Sequence, residues 1–172
     1  MSIAPALARI VVGVVIERRK AASPWIDFVW RPLAVLPGLP ETAPWTMLAT
    51  SAEVATFYVG AAEIALYRSE AARYRDNLDS GAPSLWVALR PTATEPPYRL
   101  LAVTADPSEG EAFTQAGDDL IGAVAMPIYV RTSLEAFVSA HPVEAVFHKR
   151  ERDRADPEAL ARRAPTHKGV GE

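Results

Sequence analysis

The apolar positions of the chain fall into short runs that are separated by clusters of proline, glycine and charged residues. Residues 7–17 are rich in Ile and Val, which favours a β-strand because β-branched side chains fit a pleated surface. Gly60 divides a later apolar stretch, so a hairpin is predicted around it. Further strand patterns cover residues 30–36, 45–49, 54–59, 63–68, 84–90, 98–104 and 120–125. With residues 7–17 these are eight patterns, and we predict about seven strands.

One later stretch has the composition of a helix rather than a strand. Residues 61–78 would form one long helix on propensity alone, because Ala, Glu, Leu and Arg dominate them. We instead predict a shorter helix over residues 70–79, with Ser69 as its N-cap. Tyr74 and Leu78 are four residues apart and therefore share one face of that helix.

Two further helices are predicted from a start signal and from apolar spacing. Asp106 followed by Pro107 marks a helix start, because Asp can accept N–H bonds of the first turn and Pro fits the first helical position. Residues 128–140 carry apolar side chains at near-helical spacing. Thr132 and Glu135 can alternatively form a capping box, which would start that helix later.

The order of these elements predicts the fold class. About seven strands and four short helices that cluster, rather than alternate with strands, predict an α+β fold with a mainly antiparallel β-sheet. The length of 172 residues fits one domain, and 49% hydrophobic with 23% charged residues is typical of a globular chain. We predict a single α+β domain over residues 7–147. Residues 148–172 are predicted to form a charged C-terminal extension, with one short helix that starts at Asp156 and a frayed tail.

Charge and cysteine content narrow the classes of function. A net charge of −3 gives no general attraction to nucleic acid or anionic lipid. The absence of cysteine excludes disulfides, thiolate metal sites and a cysteine nucleophile. The apolar run at residues 10–16 is too short to span a membrane, and its charges lie on the wrong side for a signal peptide. We expect a cytoplasmic protein that contacts neither nucleic acid nor membrane.

Familiar catalytic and metal-binding patterns are missing from the sequence. The nine glycines are scattered and form no phosphate-binding loop, and no serine lies on a glycine-flanked turn. His141, His148 and Asp153 match no metal motif. Carboxylates around the Asp106 helix are typical of a surface helix end; they are Glu109, Glu111, Asp118 and Asp119. We predict no catalytic residue, no metal and no cofactor, and we lean against an enzyme.

Two groups of side chains are candidates for binding. Arginine suits bidentate contacts with phosphate and aromatic rings suit stacking, which makes one segment a candidate site for an anionic small ligand. Its members are Tyr67, Arg68, Arg73, Tyr74 and Arg75. Tryptophans beside prolines and a C-terminal basic cluster form a candidate partner surface. Its members are Trp25, Trp30, Trp45, Lys149, Arg150, Arg152 and Arg154. For the tryptophans, core packing is the interpretation that we favour over a binding surface. For the basic cluster, a solvated face fits as well as a docking site for an anionic partner.

Several segments together form a recognisable pattern. They include Pro24-Trp25, Trp30-Arg31-Pro32, Val35-Leu36-Pro37-Gly38, Pro44-Trp45, Leu66-Tyr67-Arg68-Ser69-Glu70 and a charged run over residues 149–160. From about residue 9 to 165, the chain resembles a proteobacterial family of unknown function whose members are encoded near formate dehydrogenase genes. Some members of that family are labelled molybdopterin-guanine dinucleotide biosynthesis proteins.

The resemblance implies a non-catalytic accessory or interaction protein in the maturation or assembly of a molybdenum-dependent formate dehydrogenase. Its expected partner is a formate dehydrogenase subunit or a maturation factor of that enzyme. Two alternatives stay open: a binder of an anionic cofactor such as a pterin or nucleotide, and a nucleotidyltransferase. The latter needs a glycine-rich phosphate loop after the first strand, and no glycine follows Gly13 there.

Overall fold

Seven β-strands form two antiparallel sheets in the computed structural model, which describes residues 5–38, 41–115 and 117–142. Three α-helices and one short 3₁₀ helix complete these described ranges. The predicted α+β class and the strand number are confirmed, but the strands divide between two sheets instead of one. The predicted extension over residues 148–172, with the fourth helix and the basic cluster, lies outside the described residues.

The first sheet has the strand order β2-β1-β4-β3. Its strands are β1 (Ala8–Lys20), β2 (Phe28–Pro37), β3 (Thr46–Thr50) and β4 (Val54–Leu66). β1 pairs with β2 on one side and with β4 on the other. Val12, Val14 and Ile16 alternate along β1 and are fully buried. One face of β1 therefore forms part of the core, because alternate residues of a strand share a face.

The predicted hairpin around Gly60 is wrong, because β4 runs without a break through this residue. Val14 of β1 pairs with Gly60 while Val15 pairs with Tyr58, which leaves Val59 as the extra residue of a β-bulge. Gly60 has φ of +133°, a backbone conformation that residues with a Cβ rarely adopt. The glycine thus permits a bulge rather than a turn, and pairing with β1 on both sides of it keeps the strand continuous.

The second sheet has the order β6-β5-β7 and packs against the first. Its strands are β5 (Ser84–Pro91), β6 (Tyr98–Thr104) and β7 (Leu120–Ala125), and the bounds of the last two are those predicted. β4 contacts β6 at one side of the molecule and β2 contacts β7 at the other. Buried side chains from both sheets form one hydrophobic cluster between them.

The helix starts follow the sequence signals in two cases and depart from them in one. The Asp106 carboxylate accepts a hydrogen bond from the Ser108 N–H at 2.9 Å, as predicted for an N-cap. Ser69 does not cap its helix, because a 3₁₀ turn intervenes and Glu70 takes the N-cap position. The third helix begins directly after Pro127, so the later capping-box start is not used. The helices are the 3₁₀ turn Arg68–Glu70, α1 (Ala71–Asp79), α2 (Pro107–Phe113) and α3 (Ile128–Ala140).

A buried asparagine connects α1 to the second sheet. The amide nitrogen of Asn77 donates to the carbonyls of Ser84 and Ala105, each at 2.8 Å, and its amide oxygen accepts from the Ser84 N–H at 3.0 Å. The same helix packs against α3, where the buried Tyr74 ring contacts Phe137. These contacts place the first turn of α1 beside the end of β6. None of the described helices has the length and apolar character of a membrane span.

Replacing Gly110 with alanine tests how closely α2 approaches the second sheet. A Cβ at Gly110 would lie 2.3 Å from Cγ of Trp86, and Trp86 is held in β5. Glycine to alanine inside a helix ordinarily stabilises by about 1 kcal/mol. Here we expect Gly110→Ala to lower the free energy of unfolding by about 1–3 kcal/mol through overpacking, as measured by urea denaturation. The exposed neighbour Glu111→Ala is the control, and a gain in stability for Gly110→Ala would contradict the packing.

Candidate functional site

Four aromatic rings from three strands and one loop form a cluster at one end of the first sheet. The Trp30 ring centroid lies 6.0 Å from Trp45, 5.7 Å from Phe57 and 5.8 Å from Tyr98. Trp45 also contacts Phe57 at 6.0 Å. Trp30 and Trp45 are partly buried and pack against the core. The structure therefore brings together two of the three tryptophans that the sequence singled out as a partner surface.

Strand pairing explains why these rings meet. Trp30 on β2 is opposite Arg18 on β1, and Phe57 on β4 is opposite Ile16 on β1. Directly paired residues of an antiparallel sheet point to the same face, so Arg18 and both rings extend the face that Ile16 buries. The core face of β1 thus continues into the aromatic cluster.

Trp45 reaches the cluster from an unusual backbone conformation. Its φ is +68°, a left-handed value that is rare for a bulky side chain. The N–H of Trp45 donates to the carbonyl of Tyr58, which ties the residue to β4. Strain of this kind persists only where the surroundings hold it, and it concentrates at functional sites.

A cation lies over the same cluster. The guanidinium carbon of Arg18 lies 4.4 Å from the centroid of the Phe28 ring, 5.3 Å from Phe57 and 5.7 Å from Trp30. These are cation–π distances. A cavity of about 290 Å³ opens between Arg18 and the rings of Phe28, Trp30, Trp45 and Phe57, with Glu95 and Pro97 completing its lining.

Large apolar side chains are exposed around the cluster. Trp25 is 89% exposed in the loop between β1 and β2, and it does not join the other two tryptophans. Its neighbours Ile26, Phe28 and Val29 are about half exposed, as are Met47 and Leu48 on the edge strand β3. Val29 alternates with Phe28 and Trp30 along β2 and therefore lies on the opposite face of the sheet. We call the remaining surface the aromatic end; it comprises Trp25, Ile26, Phe28, Trp30, Trp45, Met47, Leu48 and Phe57.

A second feature is a cleft of about 480 Å³ between the first turns of α1 and α2. Its lining is Tyr67, Ser69, Glu70, Arg73, Asp106, Ser108 and Glu109. Nε of Arg73 donates to both carboxylate oxygens of Asp106, at 2.9 and 2.7 Å. The guanidinium of Arg73 also pairs with Glu70. Two carboxylates therefore already pair with this arginine through Nε and one Nη.

The two carboxyl groups affect each other's ionisation. Hydrogen bonding to Asp106 and then burial raise the pKa of Glu70, against the opposing effect of Arg73. Burial opposes ionisation of Asp106, but hydrogen bonds from Glu70, Arg73 and the Ser108 N–H hold its pKa below the ordinary value. The pair titrates as a unit, with Asp106 as the ionised partner.

The five residues predicted to bind an anionic ligand do not converge. Tyr67 and Arg73 line the cleft, whereas Arg68 and Arg75 do not. Tyr74 is buried, and its hydroxyl accepts a hydrogen bond from the Tyr67 N–H at 3.2 Å. The predicted partner residues Lys149, Arg150, Arg152 and Arg154 lie outside the described residues.

The sequence did not indicate several residues of the aromatic cluster and of the cleft. Asp106 was identified only as a helix cap, and nothing local indicates that it meets Arg73 across 33 positions. Phe28, Phe57 and Tyr98 occupy strand positions, where aromatic residues are common in any sheet. Arg18 offered one signal, since it follows Val14 and Ile16 at every second position of an apolar strand.

The predicted acidic group around α2 divides in the structure. Glu109 lines the cleft, and Asp119 forms a bidentate pair with Arg90 at 2.9 Å. Glu111 and Asp118 are exposed. His141 stacks on Phe137, while His148 and Asp153 lie outside the described ranges. The residues that the structure does describe contain no cluster that could hold a metal ion.

These observations define an α+β protein with an aromatic, partly exposed surface at one end of its larger sheet. A family model described as "Protein of unknown function (DUF3305)" matches residues 11–151, which is more than half of the chain. The chain therefore belongs to this family. Comparisons with curated proteins and with solved structures give no match. The neighbourhood of formate dehydrogenase genes and the molybdopterin-guanine dinucleotide label stay predictions.

Replacing Glu70 with glutamine tests the carboxyl pair through its pH dependence. Because the pKa of Glu70 is raised in the folded state, its proton stabilises the fold below about pH 4.5, and this stability is lost as the pH rises through the raised value. The wild type should therefore lose unfolding free energy from this group as the pH rises above about 4.5, while Glu70→Gln should not. Urea denaturation across this range measures the difference, with the exposed Glu111→Gln as control. Parallel pH profiles for wild type and Glu70→Gln would refute the pairing.

Proposed function

We propose that this chain is a non-catalytic interaction protein that docks onto a partner protein through its aromatic end. One observation carries the proposal. Among the described residues, ten large hydrophobic side chains are exposed, and five of them belong to the aromatic end, with exposures of 44–89%. Single exposed apolar residues are ordinary, but a concentration of this kind marks an interaction surface.

The composition of the aromatic end supports a protein partner. Tryptophan contributes large contact areas and dominates the binding energy of many protein interfaces. Trp25 is almost fully accessible in the loop that precedes β2, and Trp30 on that strand packs with Trp45 into a partly buried aromatic cluster. A preformed aromatic cluster needs little rearrangement on binding, which favours affinity.

The family resemblance suggests which partner to test first. It points to a subunit of a molybdenum-dependent formate dehydrogenase or to one of its maturation factors, in the cytoplasm. An anionic cofactor at the Arg73 cleft and a nucleotidyltransferase activity stay predictions without a supporting observation, since Arg73 is paired with two carboxylates.

Affinity purification of the tagged full chain from its native host tests the docking surface. The wild type should recover a formate dehydrogenase subunit or a maturation factor. The double variant Trp25→Ser and Ile26→Ser should recover at least tenfold less, because loss of an interface hot spot costs about 2 kcal/mol or more. Both side chains are exposed, so the fold should tolerate the change.

The matched control replaces an exposed apolar residue elsewhere. Ile128 is 75% exposed at the start of α3, and Ile128→Ser should recover the partner as well as the wild type. Equal recovery by the double variant, or recovery of no dehydrogenase-related protein by the wild type, would contradict the proposal. Circular dichroism of each variant confirms that the fold is retained.

A further inference from the structure

Arg18 is a cation without an anionic partner among the described residues. Arg9 pairs with Glu63, and Arg19 and Arg31 both pair with Glu17. Arg18 makes no ion pair and no side-chain hydrogen bond with any residue that the structure describes, and its guanidinium instead contacts three aromatic rings. Its hydrogen-bond donors are therefore available to a ligand.

The position of Arg18 is set by the strand. It lies two residues after the fully buried Ile16, on the face that leads into the aromatic end. Stacking on Phe28, Phe57 and Trp30 restrains the guanidinium without using its in-plane N–H groups. A restrained guanidinium with free in-plane donors is suited to bidentate binding of a carboxylate.

Three neighbouring cavities share lining residues at this surface. Arg18 and Phe28 line both the cavity of about 290 Å³ and a smaller one of about 40 Å³. Trp45 lines the 290 Å³ cavity and a further one of about 440 Å³, which Tyr98 also borders. A set of neighbouring depressions fits an extended chain segment better than one compact ligand.

We infer that Arg18 and the rings around it recognise an extended segment of the partner protein that carries an acidic side chain next to an apolar one. The acidic carboxylate pairs with the Arg18 guanidinium. The apolar side chain enters the 290 Å³ cavity between Trp30, Trp45 and Phe57. Two acidic groups border the cavities, Glu53 and Glu95, but both are exposed and neither pairs with Arg18. This inference rests on the proposed docking function and names the chemistry of the partner.

Selection from a random peptide library displayed on phage, with the immobilised full chain as target, tests this inference without a known partner. We expect enrichment of peptides in which Asp or Glu lies within two positions of an aromatic or large aliphatic residue. Selected peptides are then synthesised with a fluorescent label, and fluorescence anisotropy gives their dissociation constants. Failure to select any peptide, or selected peptides without an acidic residue, would overturn the inference.

Variants of the protein and of the peptide locate the contact. Arg18→Gln should weaken binding at least tenfold, and Arg18→Lys should weaken it less, because lysine keeps the charge but loses the bidentate geometry. Arg9→Gln, at the opposite end of β1, should leave binding unchanged. Equal affinities for Arg18→Gln and Arg9→Gln would contradict the assignment.

A change in the peptide controls for altered folding of the protein. Replacing the peptide carboxylate by its amide removes the same contact from the wild-type protein, so it should cost as much as Arg18→Gln. It should cost nothing further when the protein already carries Arg18→Gln. Additive losses would show that the carboxylate contacts another residue and would overturn the inference.

The outcomes also separate this inference from the proposed function. If partner capture depends on Trp25 and Ile26 but peptide binding does not depend on the carboxylate, the docking surface stands and the role of Arg18 fails. If neither partner nor peptide binds, both fail. A dimer of the wild type in sedimentation velocity that Arg18→Gln dissociates would assign the surface to a second copy of this chain and overturn the inference.

Discussion

The mismatch in length between the two sheets is the constraint on which the rest of the structure depends. β1 and β4 each have 13 residues, whereas β5, β6 and β7 have eight, seven and six. At a rise of about 3.3 Å per residue, the longer strands extend well beyond the shorter sheet. The buried face of β1 and β4 continues along the part of these strands that the second sheet does not cover, because side chains alternate between the two faces over the whole length of a strand. Phe28 and Arg18 lie near the end of this face and are therefore only partly covered, whereas Phe57 is still buried.

The helix side of the molecule is organised by buried polar groups rather than by apolar contact alone. Asn77 satisfies its amide with three hydrogen bonds to the ends of β5 and β6. That attachment brings Arg73 to the buried Asp106, which also caps α2. A buried carboxylate needs such partners, because an unpaired charge away from water is costly. These polar contacts stabilise the fold, and this structural role explains the cleft beside them. The proposed function therefore depends on the aromatic end and not on the cleft.

The sequence predicts only some of the residues that form the candidate site. Tryptophans beside prolines indicated a surface, and Trp30 and Trp45 do meet, but only the pairing of β1 with β2 and β4 reveals Phe57 and Arg18 as their neighbours. The arginine group at residues 68–75 looked suited to an anion from residue type alone. In three dimensions Arg73 is paired with Glu70 and Asp106, and the latter lies 33 positions away. An ion pair between residues so far apart in the sequence produces no recognisable pattern among the neighbours of either residue.

By itself, the sequence determined the features that depend on near neighbours. Strand bounds at β6 and β7 and the Asp106 cap all follow from patterns within a few residues. Tertiary structure alone decided that Gly60 lies in a bulge instead of a turn, that the seven strands of the described residues divide into two sheets, and that Arg18 stacks on aromatic rings. Each of these depends on which distant segment lies alongside, and that choice is made by the burial of the whole core rather than by local preference.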